Sequence, residues 1–375
     1  MVELLIVVIV VALMLQRRYM RRAKDTRNLK YSCRPSVRAC EPGEVFLVHS
    51  DIANPGQRNS AAIHIEEQFP RQLQVLESES FDITVLNDGL CLFNSSAIIP
   101  KKQQIKRSFR ASLSERGEYR FAHAFFHAGD FLGIREYSYR MENDARIVIY
   151  PPRLENEAFL KSFSDAADEI AQKKQLLEDP ISVCGYDPYT GREPLRKISW
   201  KQSAARGELI VKKNDPVRNQ SVQILLDMQY HGEFECHFSR QEICFSIARA
   251  VCEELENRHI AYRFVTNAII ARRLSTFESE GGMGGSFRKI LFTLGAAAAG
   301  GAVCSLEETV RALCDRRAGQ ELVIFITTRC DDDVTKALAQ IKTATGARIV
   351  TLFADALIPF PGKNAVPAPP GGVAL

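Results

Sequence analysis

Ser221–Met228 reads SVQILLDM, an apolar run of strand length that closes on one carboxylate, Asp227. Such a run fits a strand buried on both faces. The period then changes. Over Arg240–Asn257 the residues Ile243, Ile247, Val251 and Leu255 recur every four positions, which predicts a helix covering that strand. Ala261–Thr266 is a second strand, Glu321–Thr328 (ELVIFITT) a third and Ala347–Phe353 a fourth. Helices are predicted over Phe287–Ala299, Leu306–Asp315 and Asp333–Thr343. Strands alternating with helices imply an α/β domain over residues 219–358 with a mostly parallel, doubly covered sheet. Gly281–Gly285 (GGMGG) lacks the Lys-Ser/Thr of a phosphate loop and reads as a flexible connector. Residues 359–375, rich in Pro and Gly, read as a flexible tail.

Toward the N-terminus the pattern is different. Residues 31–152 show short strand-like runs between turn signals. Val45–Ile52 precedes Asn54-Pro55-Gly56, Ala61–Glu66 precedes Phe69-Pro70, and Phe81–Leu86 precedes Asn87-Asp88-Gly89. Lys101–Leu113, Tyr119–Phe126 and Arg146–Tyr150 come next, and the predicted architecture is an antiparallel, Ig-like β-sandwich. Residues 153–218 form a linker with a helical piece, then the densely basic stretch Gly185–Lys213. The fold class is therefore α+β and multidomain.

The chain has 375 residues, 46% of them hydrophobic, which is enough for two or three real cores. A net charge of +4 is too small to imply nucleic-acid binding through bulk electrostatics. The ten cysteines contain no CxxC and read as buried thiols in a reducing compartment. At the N-terminus, the apolar run Leu4–Leu15 is followed by a stalk, residues 17–30, with seven Lys/Arg and one acid. Positive charge after the run is the reverse of a signal peptide, and it keeps the chain beyond Leu15 in the cytoplasm. Residues 1–16 thus read as a single-pass anchor in the cell membrane with the bulk of the chain cytoplasmic. A peripheral helix and the stump of a longer hairpin are the alternatives. The stalk either sets topology or holds anionic headgroups.

Candidate chemistry is sparse. In parallel sheets ligands sit beyond the carboxyl ends of strands. Asp227, Thr266 and the acids beginning at Asp331 lie there and resemble a metal site. The residues after Asp227 are Met228, Gln229, Tyr230 and His231, so the hydroxyls that would help hold Mg²⁺ are missing; the site reads as degenerate, and no cofactor is expected. His123 and His127 stand four apart, but on a strand that separates them by about 13 Å, too far for one metal. No catalytic motif can be placed, so the chain is not read as an enzyme.

The basic stretch reads GYDPYTGREPLRKISWKQSAARGELIVKK and holds Trp200, the only Trp of the chain. It either binds an anion through Arg forks or locks two domains together, and its place between the two regions favours the lock. On that reading Trp200→Ala would cost roughly 3–5 kcal/mol, a large-to-small core amount.

GYDP at Gly185–Pro188, RKISWKQSAAR at Arg196–Arg206 and GELIV at Gly207–Val211 resemble the defining motif of the domain of unknown function 58 family. ERGEY (Glu115–Tyr119), AGDFLGI (Ala128–Ile134) and IYPP (Ile149–Pro152) resemble other family segments, in the family's order. The usual Gly-Asp is replaced by Gly191-Arg192-Glu193, and the Asp-x-Ser-x-Ser metal signature by Asp227–His231. The resemblance implies a bacterial membrane protein whose C-terminal domain is similar to von Willebrand factor A. It implies Tyr186, Arg192, Arg196, Trp200, Ala205 and Arg206 as motif residues, structural or partner-binding. It also implies partnership with a MoxR-type AAA+ ATPase and a membrane transglutaminase-like protein. The expected role is an adaptor; an Mg-dependent hydrolase using Asp227 and Asp331, or an anionic lipid binder, are the alternatives.

Overall fold

Period-two burial organises the first half of the molecule. In a computed structural model, the structure describes residues 2–76, 82–86, 90–129, 135–155, 161, 178–191, 193–216, 222–229, 234–270, 276–282, 286–314 and 322–354. They fall into two units, Met1–Pro152 and Arg153–Leu375.

The first unit opens with one continuous helix, α1 (Val2–Asp25). Its first half is the apolar run, with Leu4, Leu5 and Leu13 at least 61% exposed. Its second half docks. Ala23 is buried, the Tyr19 hydroxyl accepts from Ala62 N at 3.2 Å, and Tyr139 Oη donates to the Lys24 carbonyl at 3.4 Å. Among the described residues no helix is long and apolar enough to cross a membrane.

The strands of this unit are β1 (Lys30–Pro35), β2 (Ala39–Cys40), β3 (Phe46–Ala53), β4 (Ile63–Pro70), β5 (Gln74–Val75), β6 (Asp82–Val85), β7 (Leu90–Ala97), β8 (Gln104–Ser112), β9 (Gly117–Gly129) and β10 (Glu136–Ile149). They form two sheets, ordered β1-β3-β8-β5 and β2-β10-β9-β4-β7-β6, antiparallel except where β2 meets β10. Phe46, Val48, Ser50 and Ile52 of β3 face inward, as do Ile63, Ile65, Glu67 and Phe69 of β4. The two inward files make a β-sandwich. At its centre Phe69, Phe93 and Phe121 of one sheet meet Phe109 of the other, with ring centroids 4.6 to 5.7 Å apart.

One member of those files is a carboxylate. Glu67 is fully buried, and Arg107 of β8, in the facing sheet, donates from Nη2 to its Oε2 at 2.7 Å. The Tyr31 and Ser50 hydroxyls donate to Oε1 at 2.9 and 2.5 Å. Burial, with the Glu67 charge beside it, pushes the Cys33 thiol well up, which leaves it an inert packing group. Burial likewise pushes Cys91 up to about 11. A second tie between the sheets is Asn143, at the bulge of β10, which donates to the carbonyls of Cys33 (2.9 Å) and Phe121 (2.8 Å). The strand expected at Arg146–Tyr150 is only the end of β10, whose earlier residues are mostly polar and carry little strand signal.

In the second unit β11 (Glu178–Pro188) pairs antiparallel with β12 (Ile210–Pro216), and helix α2 (Trp200–Arg206) lies between them in sequence. Gly185–Pro188, the start of the basic stretch, is the end of β11. The rest alternates: β13 (Val222–Leu226), α3 (Phe234–Asn257), β14 (Tyr262–Thr266), β15 (Ala268–Ile270), β16 (Phe277–Gly281), α4 (Ser286–Ala296), β17 (Ala297–Ala302), α5 (Leu306–Cys314), β18 (Leu322–Thr327), α6 (Asp332–Thr345) and β19 (Arg348–Phe353). One sheet runs β16-β14-β13-β18-β19, with β16 as its antiparallel edge and the other strands parallel. Every residue of β13, β14 and β18 is buried. Each Leu or Ile so placed contributes about 1.5–3 kcal/mol.

Two expectations fail locally. The helix expected to Ala299 stops at Ala296, because Ala297–Ala302 (AAAGGA) pairs with β15 instead. Gly300 and Gly301 disfavour helix, and Gly300 N donates to Gln241 Oε1 at 2.6 Å. Gly281 and Gly282 are not loose connector. Gly282 has φ +82°, its N–H donates to Glu256 Oε1 at 2.7 Å, and a Cβ there would collide with the Ile260 carbonyl. Residues 283–285, Asn87–Gly89, the tail 359–375 and most of the helical piece expected over 153–180 lie outside the described residues.

Arg107→Met leaves Glu67 buried and uncompensated, and should destabilise the protein by about 3 kcal/mol in urea unfolding. Adding Glu67→Met should restore most of that loss. A single variant as stable as the parent would show that Glu67 is not held as a charge.

Candidate functional site

The chain leaves β13 for β14 on one side and later returns to β18 on the other. The carboxyl end of β13 is therefore the switch point of the sheet, where open α/β folds keep their crevice. Asp227 stands at that point with no exposure. Its Oδ1 accepts from Asn267 Nδ2 at 2.8 Å and from Gln229 N at 3.1 Å, and its Oδ2 from Thr327 Oγ1 at 3.2 Å. Burial raises its pKa, against the lowering by Asn267, Gln229, Arg329 and Thr327. Around it the strand ends are tied to the neighbouring loops and helices. Met228 N donates to Asn267 Oδ1 at 2.8 Å, Gln241 Nε2 to the Met228 carbonyl at 3.0 Å, and Leu306 N to Gln229 Oε1 at 2.7 Å.

The expected acid cluster is not assembled. Thr266 Oγ1 accepts from Ala268 N at 3.1 Å and turns the chain into β15. Asp331 caps α6, with Oδ1 accepting from Val334 N at 3.0 Å. Its Oδ2 accepts from Arg329 Nε at 2.7 Å, and Asp333 lies 3.5 Å from Arg329 Nη2. Arg329 is 5% exposed, and its charge also acts on Asp227. A guanidinium thus stands among the acids that resemble a metal site in the sequence. No group of three or more His, Cys, Asp or Glu among the described residues is placed to hold a metal ion. Tyr230 and His231 lie outside the described residues. Sequence reasoning misses Arg329, although Arg329-Cys-Asp-Asp-Asp333 displays a cation beside three acids.

The basic stretch folds around its small residues. Ile198, Ser199, Ser203, Ile210 and Val211 are buried. Ser203 Oγ donates to the Ser199 carbonyl at 2.9 Å and accepts from Ile210 N at 2.9 Å, and Gly207 closes α2 with φ +73°. Glu193 closes the turn before it, accepting from Thr190 N at 3.0 Å and Thr190 Oγ1 at 2.8 Å. With Ser203 and the isoleucines inward, the other motif residues face out. Trp200 and Leu195 are each 66% exposed, Leu209 45% and Tyr186 41%. Arg196, Lys201, Ala205 and Arg206 are exposed too, and Arg192 lies outside the described residues. Trp200 therefore fills no core, and the expected 3–5 kcal/mol cost of truncating it is overturned. Hydrophobicity argues for burial, but in a seven-residue helix pinned by Ser203 the indole is left on the outer side.

His123 and His127 both lie on strand β9. His127 sits 3.2 Å from Glu136 and 3.5 Å from Glu66, and His123 sits 3.1 Å from Glu142.

No protein-family model matches the chain. It is similar to the uncharacterized protein YeaD of Bacillus subtilis (strain 168), 27% identical over 197 residues. That match covers 48% of this chain and 46% of the relative, so the chain spans about half the length of the curated relative it matches. Among solved structures it is similar to a non-cellulosomal cohesin from Archaeoglobus fulgidus, with 14% identity, 35% of this chain, 95% of that chain and a TM-score of 0.23. It is also similar to the CARDB domain of the PF1109 protein from Pyrococcus furiosus, with 9% identity, 31% and 86% coverage and a TM-score of 0.20. The sandwich described above rests on its own strand pairing.

Because burial lifts Asp227 above the ordinary carboxylate value of 3.8, the folded chain keeps a proton there that the unfolded chain has already lost. This contribution to stability is whole below that value and is lost as pH rises through the folded one. Asp227→Asn keeps an acceptor for Asn267 and Gln229 without the charge. Its stability relative to the parent should improve as pH rises from 3.8 to neutrality, in urea unfolding across that range. A difference independent of pH would refute the raised value.

Proposed function

We propose that the protein is a membrane-attached, cytoplasm-facing adaptor of the domain of unknown function 58 type. In this reading its α/β unit is a von Willebrand factor A-like domain, and it works with a MoxR-type AAA+ ATPase and a membrane transglutaminase-like protein. One observation carries the reading: the motif residues Tyr186 and Trp200, with Leu195 of the same stretch, are exposed beside Arg196, Lys201 and Arg206. Exposed Trp, Tyr and Arg are the residues that dominate binding energy in protein interfaces. The basic surround fits an acidic partner surface and speeds encounter with it.

The strand-end crevice supports the same reading. Asp227 is engaged by Asn267, Gln229 and Thr327, and the nearby Arg329 cation repels a second one. Mg-dependent hydrolysis through Asp227 and Asp331 would have to bring a dication against that guanidinium. The A-like unit is thus read as a rigid support for partner contacts, and α1 as the attachment to the membrane.

Cross-linking followed by capture of the tagged, full-length protein from its own cells should recover an AAA+ ATPase. Trp200→Ala should lower that recovery about 30-fold, the loss of a 2 kcal/mol hot spot. Its melting temperature should stay at the parent value, since the indole is exposed. Failure of the parent to recover any ATPase would sink the partner assignment. Equal recovery by Trp200→Ala would remove the patch from the interface.

A further inference from the structure

Within the first unit, a cavity of about 650 Å³ opens between the second half of α1 and two loops of the sandwich. Arg17, Arg18, Arg21 and Arg22 line it from one face of the helix, and Arg58 and Lys101 line it from the β3–β4 and β7–β8 loops. Lys101 N donates to Asn59 Oδ1 at 3.0 Å, which joins the two loops at the rim. Asp25 pairs with Arg58 at 3.7 Å, and both side chains are about half exposed or more. None of the ion pairs among the described residues involves the other five cations. Six positive groups turned onto one cavity repel one another, and the arrangement costs free energy unless an anion lies among them.

The position of the cavity narrows the anion. The exposed apolar run Leu4–Leu15 immediately precedes it on the same helix. At 1.5 Å per residue that run is about 18 Å long, just over half of a hydrocarbon core of roughly 30 Å. Buried to its end in one leaflet, it sets the arginines and both loops at headgroup depth. Guanidinium forks match phosphate oxygens bidentately.

We infer that this cavity is a binding site for the phosphate of an anionic lipid headgroup, shared between the helix and the sandwich loops. The site does not depend on the partner proposed above. Its distinguishing residues are Arg58 and Lys101, which a merely basic stalk would not need.

Flotation of the full-length protein with vesicles tests it. Phosphatidylcholine vesicles containing phosphatidylglycerol should bind the parent more tightly than phosphatidylcholine alone. Arg58→Gln with Lys101→Gln should weaken binding to the anionic vesicles by roughly 30-fold, from two headgroup contacts. The charge-matched pair Arg71→Gln with Arg116→Gln should bind as the parent does. Those two residues flank the far ends of β4 and β9, some 25 Å along the strands from the cavity. The Arg58/Lys101 pair should keep the parent's melting temperature. Equal vesicle binding by both double variants would overturn the site and leave only diffuse attraction by the stalk. Calorimetry with inorganic phosphate and with glycerophosphoglycerol separates the sources. Weak binding of both, lost in the Arg58/Lys101 pair, supports the lipid, whereas tight binding of inorganic phosphate in the absence of vesicles would overturn it in favour of a free phosphate.

Discussion

Glu67 holds a negative charge in the dry interior of the sandwich, and the Arg107 guanidinium that compensates it comes from the opposite sheet. A one-residue slip of either β4 or β8 would turn one of the pair to the other face and leave its partner buried alone. The pair therefore ties the register of one sheet to that of the other. The phenylalanine cluster stabilises the same arrangement without specifying it, because apolar rings tolerate repacking in a way that a buried charge does not. Tyr31 and Ser50 complete the carboxylate's hydrogen bonds, so the first and third strands are held to the same point.

The α/β unit handles charge differently. Asp227 is kept by hydrogen-bond donors and by an elevated pKa, not by an ion pair of its own. Arg329 is compensated by Asp331, which is committed to the first turn of α6. The strand ends are thus linked to helix α6 through one guanidinium, and the loop after β13 is held by the Gln241 side chain of α3 and the Leu306 N–H at the start of α5. What the unit presents outward is elsewhere, on the basic and aromatic stretch between β11 and β12.

Much of this is legible in the sequence where a period runs uninterrupted. SVQILLDM and ELVIFITT announce strands buried on both faces, and Ile243 to Leu255 announces a helix covering them. Legibility ends where the deciding contact is remote. Ala297–Ala299 reads as helix until β15 is there to pair with it. Gly281 and Gly282 read as slack until Tyr262 and Ile260 crowd them. The candidate site shows the same limit. Asp227 is found because it ends a strand, but Arg329 stands apart from any period, and its role appears only when α6 brings Asp331 and Asp333 to it. Trp200 is misplaced because composition reports how apolar a side chain is, and not which way a short helix turns it.

A crevice centred on a metal is a conditional object: its charge comes and goes with the supply of ions, and cells exploit that as a control. Arg329 brings a cation to the strand ends as a side chain, joined to the backbone. That positive charge is in place from the moment the chain folds, and neither chelators nor changes in divalent concentration have a handle on it.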